Sequence, residues 1–365
     1  MMFRKLFNIA NFLLIASWSI FVTMGCENKD DGKEEEEKPR IVTAFTEGMY
    51  ILCQGDQASS TDGCITRINP QDWSVSQIKI PNLVGTPRDI VVSDDYLIVN
   101  ITDANQIEII DKLSMKSVKS INTRELWGEK GIGPRRLLFN DVSLYVSFDA
   151  GYVGKLNVKT FSTEGIEKAG SYPEGMAIGR GYSGLIVACS DRGKGNASID
   201  FIGGKDPLKK VTSGLLICPT DIFRVGGNTL CLDKGTIDEN GNQVLAGIRR
   251  ISEPDVVNLI DATLCAKDNG NLLYVVNAPK TNPATPVTFG YYIPGEETSG
   301  MFSADALDNP SAMGVDYLNG HIYVACKGKD SDSGYVNIYS PDGQFVKKIE
   351  TGKNPIAIVM SWDAK

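Results

Sequence analysis

Histidine is almost missing from this chain, since His321 is the single histidine among 365 residues. It stands in the run GHIYVA, directly after an Asn319–Gly320 turn, where it opens an apolar, strand-like segment. The sequence offers no nucleophile that can be paired with it, which argues against Ser-His-Asp and Cys-His catalysis. We therefore predict no catalytic residues and expect a protein that is not an enzyme.

Motifs for metals and nucleotides are missing too. No two of the eight cysteines have C-x-x-C spacing, and the chain has no phosphate-binding P-loop. The string GRGYSG at Gly179–Gly184 has G-x-G-x-x-G spacing, but it precedes the strand-like run LIVAC, whereas dinucleotide binding needs a helix there. We therefore predict no metal site and no cofactor.

The cysteines allow two interpretations. Seven remain after Cys26, so at least one is unpaired. Cys189 and Cys326 end strongly apolar runs, as Cys53 does, which is typical of small residues that fill a core. Cys53 and Cys64, however, flank one loop of a predicted hairpin and are the best candidates for a disulfide.

A sustained helical period is also missing after the first residues, and a repeat stands in its place. Seven loops, six of which carry a proline, each lead into an apolar run. The loop segments are GTPRDIVV (Gly85–Val92), GPRRLLF (Gly133–Phe139), YPEGMAI (Tyr172–Ile178), CPTDIF (Cys218–Phe223), DATLCA (Asp261–Ala266), NPSAMGV (Asn309–Val315) and NPIAIVM (Asn354–Met360). The period of about 40–48 residues is that of four-stranded propeller blades.

Each loop segment is followed by a short and nearly uncharged run, such as YLIV (Tyr96–Val99) or IYVA (Ile322–Ala325), which suits a strand buried on both faces. The last repeat supplies only one strand, whereas the first repeat lacks its innermost strand. Pairing the two would remove an open sheet edge. The sequence thus predicts an all-β, seven-bladed β-propeller of four-stranded blades over residues 41–365, closed by pairing of the C-terminal strand with the first blade.

The N-terminus has the pattern of a bacterial lipoprotein signal. Arg4 and Lys5 precede an apolar stretch that ends at Gly25-Cys26. We expect residues 1–25 to be a signal peptide and Cys26 to be the lipidated N-terminus. Residues 26–40 are rich in acids and poor in apolar residues, so we expect a solvated tether.

The charge balance excludes one class of partner. Loss of Arg4 and Lys5 with the signal peptide takes the formal charge from −8 to −10, and Glu27–Pro39, with seven acids and three lysines, accounts for −4 of it. The remaining −6 lies on residues 40–365, which contain the predicted propeller, so that body is mildly acidic. An acidic body argues against nucleic acid as a partner.

The repeats resemble a known family. Pro134–Ile178 is similar to the blade signature of YncE-like, YVTN-type propellers, and more closely to Bacteroidetes surface lipoproteins of the DUF5074 type, through Pro134-Arg135, Leu144–Val146, Val158–Thr160 and the "PEG" of Pro173–Gly175. The acid run after Cys26 resembles the surface-export signal of such lipoproteins. The resemblance is specific for fold and less specific for function, because ligand choice lies in loops.

Members of that group include lipoproteins that capture cobalamin at the cell surface and pass it to a TonB-dependent transporter. The resemblance therefore implies a lipid-anchored protein of the outer membrane, exposed at the surface and monomeric, that binds a small ligand such as cobalamin or another corrinoid. Two alternatives stay open: a non-catalytic interaction or surface-layer scaffold, and a propeller enzyme of the lyase or lactonase-like hydrolase type.

The candidate ligand site lies in loops on one face. In a propeller, the loops that lead into inner strands share a face with those that follow second strands. The loop Asn122–Arg136 is the longest link between blades, and we expect its Trp127 at the mouth of the central channel, stacked on a flat ligand. The predicted ligand-binding residues are Trp127, Arg88, Arg124, Arg135, Arg136, Phe148, Asp149, Tyr172, Glu174, Asp191, Arg192, Lys234 and Lys327.

Overall fold

The computed structural model describes residues 44–56, 62–179, 184–203, 209–252, 254–327 and 333–364. The predicted signal peptide, the tether and the lipidation site at Cys26 lie outside the described residues. Among the described residues, no helix is long and apolar enough to cross a membrane.

The described residues form seven antiparallel sheets of four strands, each of which is one blade. Blade 1 contains β1 (Ala44–Cys53), β2 (Cys64–Ile68) and β3 (Val75–Lys79). Blade 2 contains β4 (Pro87–Val92), β5 (Tyr96–Ile101), β6 (Gln106–Asp111) and β7 (Ser117–Asn122). Blade 3 contains β8 (Pro134–Asn140), β9 (Ser143–Phe148), β10 (Tyr152–Asn157) and β11 (Ser162–Lys168). Blade 4 contains β12 (Pro173–Ile178), β13 (Leu185–Cys189), β14 (Ser198–Ile202) and β15 (Lys209–Val211).

The second half of the chain repeats the pattern with one insertion. Blade 5 contains β16 (Pro219–Val225), β17 (Asn228–Asp233), β20 (Gly247–Ser252) and β21 (Asp255–Ile260), and the small hairpin β18 (Thr236–Ile237) and β19 (Gln243–Val244) is inserted within it. Blade 6 contains β22 (Leu264–Lys267), β23 (Leu273–Asn277), β24 (Thr288–Ile293) and β25 (Thr298–Phe302). Blade 7 contains β26 (Pro310–Val315), β27 (Ile322–Cys326), β28 (Gly334–Tyr339) and β29 (Phe345–Thr351).

The last strand closes the ring. β30 (Pro355–Ala364) is the inner strand of blade 1, where it pairs with β1 in antiparallel register, with Met49 opposite Met360 and Ile51 opposite Ile358. The predicted seven-bladed architecture and its closure are therefore confirmed. Closure leaves the inner strand of every blade paired within its own sheet and packed between its neighbours.

Burial falls from the second strand of each blade to the outermost one. All five residues of β13 and of β27 are buried, whereas six of the seven residues of β11 are exposed. The uncharged, β-branched second strands can be buried on both faces because the adjacent blades cover them. The main apolar clusters lie between neighbouring blades, as in the cluster that joins Ile98 and Ile109 of blade 2 to Leu144 and Val146 of blade 3.

The cysteines agree with the core-packing interpretation. All seven cysteines from Cys53 onward are free thiols, and Cys53, Cys189 and Cys326 are buried. Burial raises the pKa of the Cys189 thiol to about 12, as expected for an apolar filler. Cys53 and Cys64 are direct partners in the β1–β2 register, but the disulfide we considered between them is not formed.

Trp127 lies in the core, so the prediction that it stands at the channel mouth is wrong. It ends a short helix, α1 (Thr123–Trp127), whose first turn is capped by the side-chain oxygen of Asn122, which accepts from the amide of Glu125. Trp127 is 8% exposed, and its indole N–H donates to the Thr163 hydroxyl at 2.7 Å. Its ring meets that of Phe148 edge-on, with centroids 5.3 Å apart.

Trp127→Ala should therefore destabilise the fold without affecting a ligand in the channel. Loss of a large buried aromatic side chain costs about 3–5 kcal/mol in free energy of unfolding. Trp127→Phe should cost much less, since it keeps most of the ring and loses one hydrogen bond of about 1 kcal/mol. Denaturant unfolding of the three proteins measures the difference. An alanine variant as stable as the parent would contradict the packing role.

Candidate functional site

The inner strands share one irregularity at the face where they begin. In six blades the inner strand carries one more residue than its partner directly after the proline, which is a β-bulge. The bulges lie between Pro87 and Asp89, Pro134 and Leu137, Pro173 and Met176, Pro219 and Asp221, Pro310 and Ala312, and Pro355 and Ala357. A bulge bends the strand and redirects a side chain. Blade 6 lacks the proline, and its inner strand pairs without such a shift.

Residues of all six bulges line one cavity of about 520 Å³ at the centre of the ring. The loops after the second strands contribute as well. The polar and charged residues of its lining are Gln54, Arg88, Asp89, Arg136, Glu174, Thr220, Asp221, Lys234, Ser311 and Lys327. We call this end of the channel, with those ten residues, the charged mouth.

Four cations from four blades meet at the charged mouth. Arg88 belongs to blade 2, Arg136 to blade 3, Lys234 to blade 5 and Lys327 to blade 7. Among the described residues, neither the Arg88 nor the Lys327 side chain has a hydrogen bond or ion pair. Burial lowers the pKa of Arg88, and the nearby Arg135 lowers it further. Burial also lowers the pKa of Lys327, with a further contribution from Lys280.

The other two cations are held by protein groups. Lys234 donates to the backbone carbonyl of Thr263 in blade 6, and burial lowers its pKa. Arg136 lies 3.5 Å from an Asp89 carboxylate oxygen and 3.7 Å from one of Asp221, and chiefly Asp89 raises its pKa. Two of the four cations thus have acidic or carbonyl partners, whereas the other two are free to meet a ligand.

Gly175 explains how Asp221 reaches Arg136. A side chain at Gly175 would place its Cβ 2.7 Å from the Cα of Asp221 and 2.5 Å from its carboxylate. Only glycine therefore lets the inner strands of blades 4 and 5 approach this closely. The Gly of the "PEG" segment is thus a packing requirement of the charged mouth.

A second network adjoins the mouth between blades 3 and 4. Arg135 is 8% exposed and forms ion pairs with Glu174 and, at 2.9 Å, with Asp149. Burial alone would lower the pKa of Arg135, but Glu174 and then Asp149 outweigh it and raise that pKa. Glu174 is itself buried and also lines the cavity. The network therefore fixes one wall of the charged mouth.

Tyr172 holds a strained backbone beside this network. Its φ of 54° lies in the left-handed region, and residues at the same place before the proline have similar angles: Gly133 at 68°, Asn309 at 53° and Asn354 at 56°. Glycine and asparagine tolerate this region, whereas a bulky residue is strained there. The Arg192 guanidinium lies over the Tyr172 ring at 3.7 Å from its centroid and 3.6 Å from Asp149. The strained tyrosine thus supports a half-exposed arginine at the rim.

The structure brings together most, but not all, of the predicted site residues. Five line the charged mouth: Arg88, Arg136, Glu174, Lys234 and Lys327. Five belong to the adjoining network or its loop: Arg135, Asp149, Tyr172, Asp191 and Arg192, of which Asp191 is buried and accepts from both nitrogens of Asn196.

Three predicted residues lie elsewhere. Trp127 and Phe148 pack in the core between blades, and Phe148 is fully buried. Arg124 is exposed on the surface, where it pairs with Glu129 at 2.6 Å. The predictions that Trp127, Phe148 and Arg124 contact a ligand are therefore wrong, because none of the three lines the cavity. Sequence reasoning also missed Asp89, Asp221, Thr220, Ser311 and Gln54, which line the mouth.

His321 does not line the charged mouth and lies between blades 7 and 1. It follows the turn after β26, where its backbone carbonyl accepts from the amide of Asp316. Its ring packs near those of Trp73 and Tyr323, with centroids 6.2 Å and 6.5 Å away. Within the described part of the chain, no three His, Cys, Asp or Glu side chains gather as metal ligands would.

Comparisons with known proteins support the fold. No protein-family model and no curated protein matches the chain. Among solved structures, a proposed 6-phosphogluconolactonase from Bacteroides fragilis aligns with a TM-score of 0.60 and 12% identity over 86% of this chain and 98% of its own. Hydrazine synthase from Kuenenia stuttgartiensis aligns with a TM-score of 0.58 and 14% identity, covering 74% and 88%.

A third structure is a quinonprotein alcohol dehydrogenase-like protein from Bacteroides thetaiotaomicron, with a TM-score of 0.56 and 15% identity over 87% of this chain and 79% of its own. At such identities the likeness shows the fold alone. Function has to be argued from the charged mouth itself.

Tyr172→Asn tests whether the rim is strained. Asparagine occupies the same place in two other blades, so the change should relieve about 1 kcal/mol of left-handed strain. The half-exposed cation–π contact that is lost is worth about 0.5–1 kcal/mol. We expect a melting temperature equal to or above that of the parent. The matched reverse change, Asn309→Tyr, should lower it. A clear loss of stability in Tyr172→Asn alone would show that the tyrosine is a structural anchor.

Proposed function

We propose that this protein is a lipid-anchored binding protein of the outer membrane, exposed at the cell surface, that captures a small anionic ligand at the charged mouth and passes it to a TonB-dependent transporter. A corrinoid is the ligand that the family resemblance favours. The observation that carries the proposal is the convergence of four cations on one open cavity, two of which have no hydrogen bond or ion pair to the described part of the protein.

Charge explains why an anion suits this place. The four cations face three carboxylates, those of Asp89, Glu174 and Asp221, so the mouth is cationic while the whole chain is acidic. A phosphate or carboxylate group could pair with Arg88 and Lys327, whose desolvation is then offset by a charge-assisted contact. Because the rest of the protein is acidic, it repels anions, whereas the cationic cavity attracts them.

Size decides how a corrinoid would bind. Pockets for drug-sized ligands have volumes of roughly 300–1,000 Å³. The cavity, at about 520 Å³, lies in this range, whereas a corrinoid is larger than a drug-sized ligand. The corrin ring would therefore lie across the rim, near Tyr172 and Arg192, and the phosphate-bearing arm would enter the mouth.

A hydrolase is the second candidate, because a solved propeller of the same fold is named as a proposed 6-phosphogluconolactonase. A sugar phosphate would present the same anionic group to Arg88 and Lys327. The two candidates differ in outcome: a hydrolase releases acid from a phosphorylated lactone, whereas a capture protein returns its ligand unchanged. A scaffold without a small ligand would do neither.

Removal of the two free cations should weaken ligand binding strongly. We expect the double variant Arg88→Gln/Lys327→Gln to bind cyanocobalamin at least tenfold more weakly than the parent in calorimetry, since each decade corresponds to about 1.4 kcal/mol. Arg124→Gln is the matched control, because it removes one cation from the same face but outside the cavity. Equal affinity in all three proteins would contradict the site. Failure of every corrinoid to bind the parent would leave the scaffold or the hydrolase.

Anchoring can be tested separately from binding. Cys26→Ser removes the predicted lipid attachment, so the variant should appear in the soluble fraction with its melting temperature unchanged. Protease treatment of intact cells, with the parent protein, then tests surface exposure. A Cys26→Ser protein that stays in the membrane fraction after a high-salt wash would contradict lipid anchoring.

A further inference from the structure

A second cavity opens at the opposite end of the channel, where the inner strands end. Its volume is about 410 Å³. Its walls are mostly apolar and come from five blades, with Val91, Leu138, Met313, Ile358 and Met360 among them. Lys267 is the single charged residue in its lining within the described part of the chain. We call this end the apolar mouth.

The two cavities share walls. Cys265, Met313, Ile358 and Val359 line both of them, so these four side chains lie at the boundary between the cavities, which we call the waist. Six-residue strands of about 3.3 Å rise per residue span roughly 20 Å. The two cavities therefore lie one after the other along the inner strands, with cations at one end and hydrocarbon side chains at the other.

An aromatic shelf borders the apolar mouth. The rings of Tyr317 and Trp362 are stacked, with centroids 5.2 Å apart and planes at 10°. Both are solvent-accessible, at 38% and 40%, and both line the cavity. The Trp362 indole N–H donates to Asp316 at 3.3 Å, which holds the ring in place. Two large stacked rings left in water favour contact with an apolar group.

We propose that the channel binds an amphiphile, with its anionic head at the charged mouth and its hydrocarbon part past the waist, against the apolar mouth and the Tyr317–Trp362 shelf. This inference rests on the proposed function, because the same cations hold the head. It names an amphiphile as the ligand class, in place of the corrinoid that the family resemblance favours. Burial of hydrocarbon in a preformed apolar channel contributes about 0.8 kcal/mol per CH₂ group, equivalent to nearly fourfold in affinity for each.

The occupant follows from the polarity along the channel. A compact polar anion would leave the apolar half unfilled, whereas a neutral hydrocarbon would leave Arg88 and Lys327 unpaired. A protein partner seated on the shelf would cover Trp362 but would not reach Met313 at the waist. An elongated molecule with one charged end satisfies both halves at once.

The test compares dodecyl phosphate, below its micellar concentration, with ethyl phosphate on the mature chain. We expect the dodecyl compound to bind more than a hundredfold more tightly and to shift the Trp362 fluorescence, a signal lost in Trp362→Phe. Met313→Trp fills the waist, which only the long chain has to pass. Calorimetry on this variant should therefore give nearly equal affinities for the two phosphates. Met313→Leu conserves volume and should keep the advantage. Ile358→Phe is a second block should Met313→Trp fail to fold.

The outcomes separate the two proposals. Equal affinity for the two phosphates, or an advantage that survives both blocking variants, overturns the amphiphile and leaves the charged mouth standing. Failure of both phosphates to bind overturns the charged mouth and the amphiphile together. If dodecanol and dodecyl phosphate bind with equal affinity and shift the Trp362 fluorescence equally, the phosphate contributes nothing to binding. That result would overturn the proposed orientation.

Discussion

The bulge after each proline is the constraint on which the channel site depends. In a regular strand, neighbouring residues point to opposite faces. The extra residue in the inner strand breaks this alternation, so that Arg135 pairs with Glu174 in the next blade while Arg136 lines the cavity. Proline fits the start of the strand because the ladder needs no amide from it there. Without the bulges, some of these polar side chains would point toward the neighbouring blades and not into the channel.

Bonds between neighbouring blades hold the bulged ends in register. The Gln54 amide donates to the Pro87 carbonyl at 3.0 Å, and the Thr102 hydroxyl donates to the Pro134 carbonyl at 2.6 Å. The Ser311 hydroxyl donates to the Pro355 carbonyl at 2.7 Å and so ties blade 7 to the closing strand. Each bond fixes the inner strand of one blade against a neighbouring blade. The cations are therefore positioned before a ligand arrives, which reduces the entropy lost on binding.

The sequence predicted the ring and its closure because both follow from local signals, namely proline, turn residues and short apolar runs at a constant period. It also predicted the right face for Arg88, Glu174, Lys234 and Lys327, since that choice depends only on strand order. It failed for Trp127, because its burial depends on Thr163 and Phe148, which come from strands far along the chain. Glycines around Trp127 looked like an exposed loop, whereas they form a tight turn against blade 3.

A signal for the missed residues is nevertheless present in the sequence. Thr220 and Ser311 take the same position after the proline as Arg88, so alignment of the repeats by their bulges, and not by their charges, would have placed them in the mouth. Asp89 and Asp221 come one residue later. Their carboxylates drew no prediction, because no sequence rule says that an acid in an inner strand faces a cation from another blade.

The polarity of the channel can also be read along each inner strand. The segments PRDIVV, PRRLLF, PTDIF and PSAMGV begin with polar residues after the proline and end with apolar ones. Since all inner strands run in the same direction, this order puts the polar positions of these four blades at one end and their apolar positions at the other. Inner-strand residues such as Leu137 and Ile222 also pack between blades, but those contacts do not require polar residues at one end of each strand. A polarity gradient shared by four inner strands matches a ligand with two unlike ends.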